Sequence, residues 1–264
     1  MLNVIFEDAD LLVVNKPAGL VCHPTKNGEM SSLIGRARLY LAANPRTREP
    51  GPPTPESGSH TPDPRPYLVN RLDRETSGVV LIAKNSATAG ELGKALEDRL
   101  FQKEYLAIVH GHVCEDHGVI DAPLGKDERS IVAVKDCVRP DGSPAQTEFF
   151  VEQRFIHEVP PSSTLHLPFS FLRILPRTGR KHQIRIHLAH LGHPIAGDKL
   201  YGGDEDCYLA LAQNRLTEAQ RAKLIFANHA LHARSLKFTW REQPVEFSCP
   251  PEPWFSAFMA TDCG

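Results

Sequence analysis

Residues 67–83 read YLVNRLDRETSGVVLIA, a polar turn set between two apolar runs. The second run, VVLIA at 79–83, has no polar residue, which is the composition of a strand covered on both faces. Tyr67-Leu68-Val69 before it is β-prone and suits a partner strand. The turn between them presents Asp73 with Arg71 and Arg74 on either side. An opposite charge within about 4–6 Å favours the ionised form of a carboxylate, and an ionised aspartate can act as nucleophile or general base. The same residues also fit a solvated turn in which Asp73 caps local amides.

Outward from this segment the pattern stays rich in strands. Upstream, NVIFE at 3–7 and LLVVN at 11–15 flank Asp8-Ala9-Asp10, which predicts a hairpin, and KPAGL follows as a loop. Downstream, Ser86 is placed to cap a helix running to about Leu100, with Leu92, Leu96 and Leu100 on one face. KEYLAIV at 103–109 reads as a strand, as do parts of 117–121, 130–134, 145–155 and 164–175. A second helix is predicted from near Lys181, with Ile184, Leu188 and Leu191 on one face and Gly192 as a left-handed cap. Residues 228–240 start irregularly and end as a strand. Many strands, two or three helices and no regular βαβ alternation predict an α+β fold with a mixed or antiparallel sheet.

Residues 44–66 stand apart, with eight prolines and few large apolar side chains. Such a stretch buries too little surface to offset its ordering entropy, so it reads as a mobile surface insertion in a single domain spanning 1–264. A linker between domains is the weaker alternative, because the roughly forty residues before it make a poor core of their own.

Composition narrows the function classes. The chain has 264 residues, a hydrophobic share of 41% and a net charge of −2. Its pI is about 6.7, so any nucleic-acid role must rest on a local basic surface. Cys22, Cys114, Cys137, Cys207, Cys249 and Cys263 form no CxxC pair, which suits reduced thiols in the cytoplasm rather than a disulfide framework or a zinc ribbon. No signal peptide is visible at the start, and no apolar run reaches the eighteen or so residues of a membrane span.

Two further segments carry chemical groups. In QKEYLAIVHG, Tyr105 is a lone aromatic among charges, and an aromatic face stacks on any base at roughly 1–3 kcal/mol per base. Ordinary packing is the competing use of a strand tyrosine. From Val159 to Gly197 no acidic residue occurs, while Arg173, Arg177, Arg180, Lys181 and Arg185 do, a local charge of +5 that suits phosphates. Gly179 before Arg180 could also let backbone amides face an anion. The plain alternative is a solvated basic helix face. Of His182, His187, His190 and His193, the first two lack one-face helical spacing. His187 and His190 could share a face, but no HExxH or CxxC companion accompanies them, so a metal-dependent hydrolase is a poor fit.

Taken together, VVNKPAGL, RLDRETSGVVLIAK, KEYLAIVHG, GSPAQTEF and TGRKHQIRIHLAHLGHPIAGDKLYG resemble, in that order, the RluA-type family of RNA pseudouridine synthases. The resemblance runs from about Val4 to Trp240, except for the proline-rich stretch. It implies a mixed, largely antiparallel β-sheet with flanking helices and a central RNA-binding cleft, no cofactor and no metal. It implies a tRNA or rRNA substrate and no membrane partner. On the family pattern Asp73 is catalytic, Arg71 takes the place of the flipped-out uridine, Tyr105 stacks on its uracil and Arg185 pairs with the catalytic carboxylate. Arg180 is added as a substrate contact. A catalytically inactive RNA-binding protein of the same fold is the alternative. Because methionine keeps the length and helix propensity of Arg185, Arg185→Met is expected to fold. The family usually has histidine before RLD, where this chain has Asn70, which puts contacts to neighbouring nucleotides in question. The pattern begins at the third residue, so no separate N-terminal RNA-binding domain is expected.

Overall fold

In a computed structural model of the chain, the strand Ser77–Ala83 is buried at every position. The structure describes residues 2–24, 28–44, 65–158 and 166–259. The proline-rich stretch falls almost wholly outside the described residues. Two compact units emerge, each discontinuous in sequence: Met1–Phe101 with Ser235–Pro250, and Gln102–Arg234 with Pro251–Gly264.

In the first unit, β1 (Val4–Glu7) and β2 (Leu11–Lys16) form the predicted hairpin. Asp8 explains its tightness, because Oδ1 accepts from the N–H groups of Asp10 at 2.8 Å and Leu11 at 2.6 Å. Helix α1 (Leu33–Ala43) is capped by Ser32. The short β3 (Tyr67–Leu68) pairs with β4 (Ser77–Ala83), and β2 lies on β4 with Lys16 opposite Gly78. Helix α2 (Ser86–Glu97) is capped one residue earlier than predicted, by Asn85, whose side chain accepts from the Thr88 N–H. Leu92 is buried, but Leu100 lies beyond the helix and is 62% exposed, so its predicted place on the apolar face is corrected.

In the second unit, β5 (Gln102–His110), β6 (His117–Asp121), β9 (Gln146–Glu158) and β10 (His166–Pro176) form the order β5-β10-β9-β6, all antiparallel. Between β6 and β9, β7 (Leu124–Lys126) and β8 (Asp136–Val138) make a small hairpin. The predicted strand at 130–134 is instead the turn region inside that hairpin, with Val132 buried as its plug. Helix α3 (Gln183–His190) is followed by α4 (Asp206–Ala212), α5 (Glu218–Leu224) and α6 (Pro253–Met259). The core is aromatic: Phe149, Phe155, Phe169, Phe255 and Phe258, joined by Ile184 and Leu188 of α3.

Strand β11 (Leu231–Trp240) belongs to both units, its first residues to the second and the rest to the first. There β12 (Gln243–Ser248) pairs with it, and Leu236, Phe238, Trp240 and Phe247 join Leu11, Val13, Val79 and Leu81 in one apolar cluster. The fold is α+β, a largely antiparallel sheet with flanking helices. It has more helices than the two or three predicted, because α4–α6 are too short to show periodicity. None of the described cysteines forms a disulfide, and no described helix is long and apolar enough to cross a membrane.

Candidate active site

The turn that carries Asp73 is tied down residue by residue. The Leu72 carbonyl accepts from Cys22 Sγ at 3.3 Å, the Asp73 carbonyl from the Thr76 N–H at 3.2 Å, and the Arg74 carbonyl from the Gly19 N–H at 2.9 Å. Gly19 sits at φ +85°, the left-handed region that favours glycine. Lys16 completes the knot. Its side chain is wholly buried, and Nζ donates to the carbonyls of Pro17 at 3.0 Å, Leu20 at 2.8 Å and Arg74 at 3.0 Å. An ammonium has three protons to donate, and three backbone oxygens meet it here. KPAGL is therefore the clamp of the catalytic candidate, not an independent loop. Asp73 is half-buried, whereas Arg71 and Arg74 are exposed, Arg74 with Nε on the Gly19 carbonyl at 3.3 Å.

Asn70 has a structural task. It is buried, its Nδ2 donates to the Val79 carbonyl at 3.3 Å, and its Oδ1 accepts from the Leu81 N–H at 2.7 Å. The side-chain amide thus imitates a peptide group alongside β4, continuing the pairing that Val69 makes with the Leu81 carbonyl. An amide offers donor and acceptor side by side, which suits this task better than an imidazole.

In the second unit, Tyr105 lies on β5 opposite Ile174, half-buried against the aromatic core. Arg185 is 7% exposed on α3, and its Nε and Nη2 grip the fully buried side chain of Asp198 at 2.7 and 2.9 Å. Asp198 also accepts from the N–H groups of Leu200 at 2.9 Å and Tyr201 at 3.0 Å. Burial alone would raise this carboxyl, but the Arg185 guanidinium and the backbone donors hold it well below the usual carboxylate range. The Tyr201 ring lies under the guanidinium, 5.0 Å from centroid to Cζ, and burial pushes its phenol above its ordinary value.

The start of α3 is stapled by Gln183. Its Oε1 accepts from the Thr178 hydroxyl at 2.7 Å and the Arg180 N–H at 3.0 Å, while its Nε2 donates to the Gln146 carbonyl and to Thr147 Oγ1, each at 2.9 Å. The Arg180 amide suggested for an anion is thereby occupied. Arg180 itself is exposed, with Nε on the Pro144 carbonyl at 3.2 Å. The helix begins at Gln183, two residues after Lys181, and ends with Gly192 at φ +90° as predicted. Leu191 is 38% exposed, so it leaves the buried face assigned to it.

A model of the family described as RNA pseudouridylate synthase matches residues 10–190. The chain is 32% identical to an uncharacterized RNA pseudouridine synthase of Bacillus subtilis, over 94% of this chain and 69% of that one. It is 33% identical to the ribosomal large subunit pseudouridine synthase D of Haemophilus ducreyi, over 92% of this chain and 64% of the relative.

This chain is a member of the RluA-type RNA pseudouridine synthase family.

Its fold is also that of human RNA pseudouridylate synthase domain containing 1, with a TM-score of 0.70 at 24% identity over 97% of this chain and 87% of the other. Within this member of the family, the family motifs are the parts that interlock: Gln146 and Thr147 of GSPAQTEF are held by Gln183 and His187, and Asp198 of AGDKLYG is held by Arg185. Asp198 and Lys16 were not legible as site residues. Lys16 had one signal, its place at the end of the period-2 series Leu12, Val14, Lys16 in a strand buried on both faces. The histidines have separate partners: His187 bridges Thr147 and the Ala122 carbonyl, His182 meets the Tyr201 hydroxyl, and His193 the His110 carbonyl. Among the described residues no group of three His, Cys, Asp or Glu side chains could hold a metal.

Proposed function

We propose that this chain isomerises uridines in structured RNA to pseudouridine, with Asp73 as the catalytic carboxylate. The observation that carries the reading is the construction of the Asp73 turn, in which three consecutive carbonyls, those of Leu72, Asp73 and Arg74, are engaged by neighbours and by a buried ammonium. Such fixing of the backbone that carries a carboxylate, before substrate arrives, is what orientation-dependent catalysis needs. Carboxylate chemistry at a sugar then has the following balance. The bond from ribose C1′ to uracil N1 breaks, the base turns, and C1′ bonds to C5. The C5 proton leaves and N1 gains one, so the formula is unchanged. Asp73 acts at the sugar, by adding to C1′ or by removing the C2′ proton. The base must leave its stack first. Arg71 fills the space it vacates, Tyr105 stacks on the uracil, Arg185 balances the Asp73 charge and Arg180 contacts the backbone. The RNA is ribosomal or transfer RNA, and the large-subunit names of the Haemophilus ducreyi and Xanthomonas campestris relatives favour testing ribosomal RNA first.

Asp73→Asn is the test. Pseudouridine formation in unmodified ribosomal and transfer RNA transcripts should be abolished, while RNA affinity stays within a few-fold of the original protein. Turnover near that of the unaltered protein would remove Asp73 from the chemistry.

A further inference from the structure

The acid-free stretch that looked like a phosphate-binding surface is mostly neutralised by carboxylates from elsewhere in the second unit. Arg173 pairs with Glu152 at 2.7 Å, Arg177 with Glu148, Lys181 with Asp136 at 2.7 Å, and Arg185 with Asp198. Of its five cations only Arg180 has no carboxylate partner among the described residues. A cation from outside the stretch joins it. The Nζ of Lys103 lies 3.6 Å from where a Cβ at Gly179 would stand, so the missing side chain of that glycine leaves room at the ammonium.

Lys103 lies two residues before Tyr105 on β5, and side chains two apart leave the same face of a strand about 6.6 Å apart. Glu104, on the other face, is paired with Arg234 at 3.5 Å. Lys103 has no hydrogen bond or ion pair among the described residues. It is nonetheless half-buried, and that burial pushes its ammonium below the ordinary lysine range. A desolvated charge with no protein partner costs stability unless a ligand supplies one. The surrounding chemistry, a second cation at Arg180 and an aromatic face one strand step away, suits an anion attached to a flat base.

We propose that Lys103 binds a backbone phosphodiester of the RNA at the nucleotide whose base stacks on Tyr105. This rests on the pseudouridine synthase reading and adds a contact to it. A phosphate at Lys103 and a base on Tyr105 lie within the reach of one nucleotide, so the lysine sets the register in which the target enters.

The test compares the unaltered protein, Lys103→Met and Lys103→Arg. The probe is a fluorescently labelled RNA stem–loop, transcribed in vitro, with uridines in its loop. Affinity is measured across a salt series. Lys103→Met should bind several-fold more weakly at low salt, and the slope of log affinity against log salt should become shallower by about 0.7, the value for one contact to single-stranded phosphate. Lys103→Arg should restore the slope. The melting temperature of Lys103→Met should hold or rise, since an unpaired desolvated charge is removed. An unchanged salt slope would overturn the proposal, and with a lower melting temperature would make Lys103 a structural cation. Failure of the underlying reading looks different: the unaltered protein would bind the RNA yet form no pseudouridine, and the salt slopes would still decide the role of Lys103.

Discussion

Lys16 and Arg185 are both cations taken out of water, and their units satisfy them in opposite ways. Lys16 is met by three backbone carbonyls. Arg185 is met by a buried carboxylate that is itself held by two backbone N–H groups. Dipoles suffice for a compact ammonium with three protons, whereas the planar guanidinium fork matches a carboxylate. The difference teaches what each clamp can tolerate. The three carbonyls that Lys16 meets do not titrate. The Arg185–Asp198 clamp depends on both charges being present.

The largest effect should come from breaking the charged clamp. Arg185→Met leaves Asp198 buried without its guanidinium, which should cost about 3–5 kcal/mol, so the variant expected to fold should do so with much reduced stability. The pH dependence follows from the sign of the shift. In the unaltered protein the Asp198 carboxyl lies below its unfolded value, so its contribution is present above about pH 4 and is lost as pH falls through the folded value. In the variant burial dominates, the folded carboxyl rises, and its contribution is lost as pH rises. The gap in melting temperature between the two proteins should therefore narrow as pH is lowered from 7 toward 5, and a constant gap would break the assignment of Asp198 as the partner that matters.

Next comes Lys16→Met, which strands three carbonyls and should cost about 2–3 kcal/mol. Its deficit in thermal denaturation should be flat between pH 5 and 8, because the three carbonyls it strands do not titrate. Turnover should fall more than RNA affinity, since the turn bearing Asp73 loosens. A deficit that varies with pH in that range would erase the contrast between the two clamps. The smallest effect belongs to Asn70→Ala, at about 1 kcal/mol by urea denaturation. Asn70→His should be no better, because an imidazole cannot present donor and acceptor side by side. If histidine restored full stability, the peptide-like role of the amide would be wrong.

What the sequence made legible was local. Asp8 declares the β1–β2 turn, the unbroken run at 79–83 declares a strand covered on both faces, and Gly192 declares the end of α3. What it hid was long-range. The β-branched residues around 130–134 mimic a strand but form a turn over a buried Val132. The five cations between Arg173 and Arg185 look like a phosphate surface until Glu152, Glu148, Asp136 and Asp198 are brought to them by pairing. Helix α5 was missed although it carries a local signal, the capping box of Thr217 and Gln220.

The shared strand β11 also governs when the protein can form at all. The N-terminal unit takes Ser235–Pro250 into its sheet and apolar cluster. While the ribosome is still delivering the residues between, that unit has an open edge where Leu236, Phe238 and Phe247 will lie. Chain closure over so long a separation is slow and leaves apolar surface open to chaperones and to aggregation. A stop codon before Ser235 would therefore deprive the beginning of the chain, and not only its end, of apolar residues its own cluster uses.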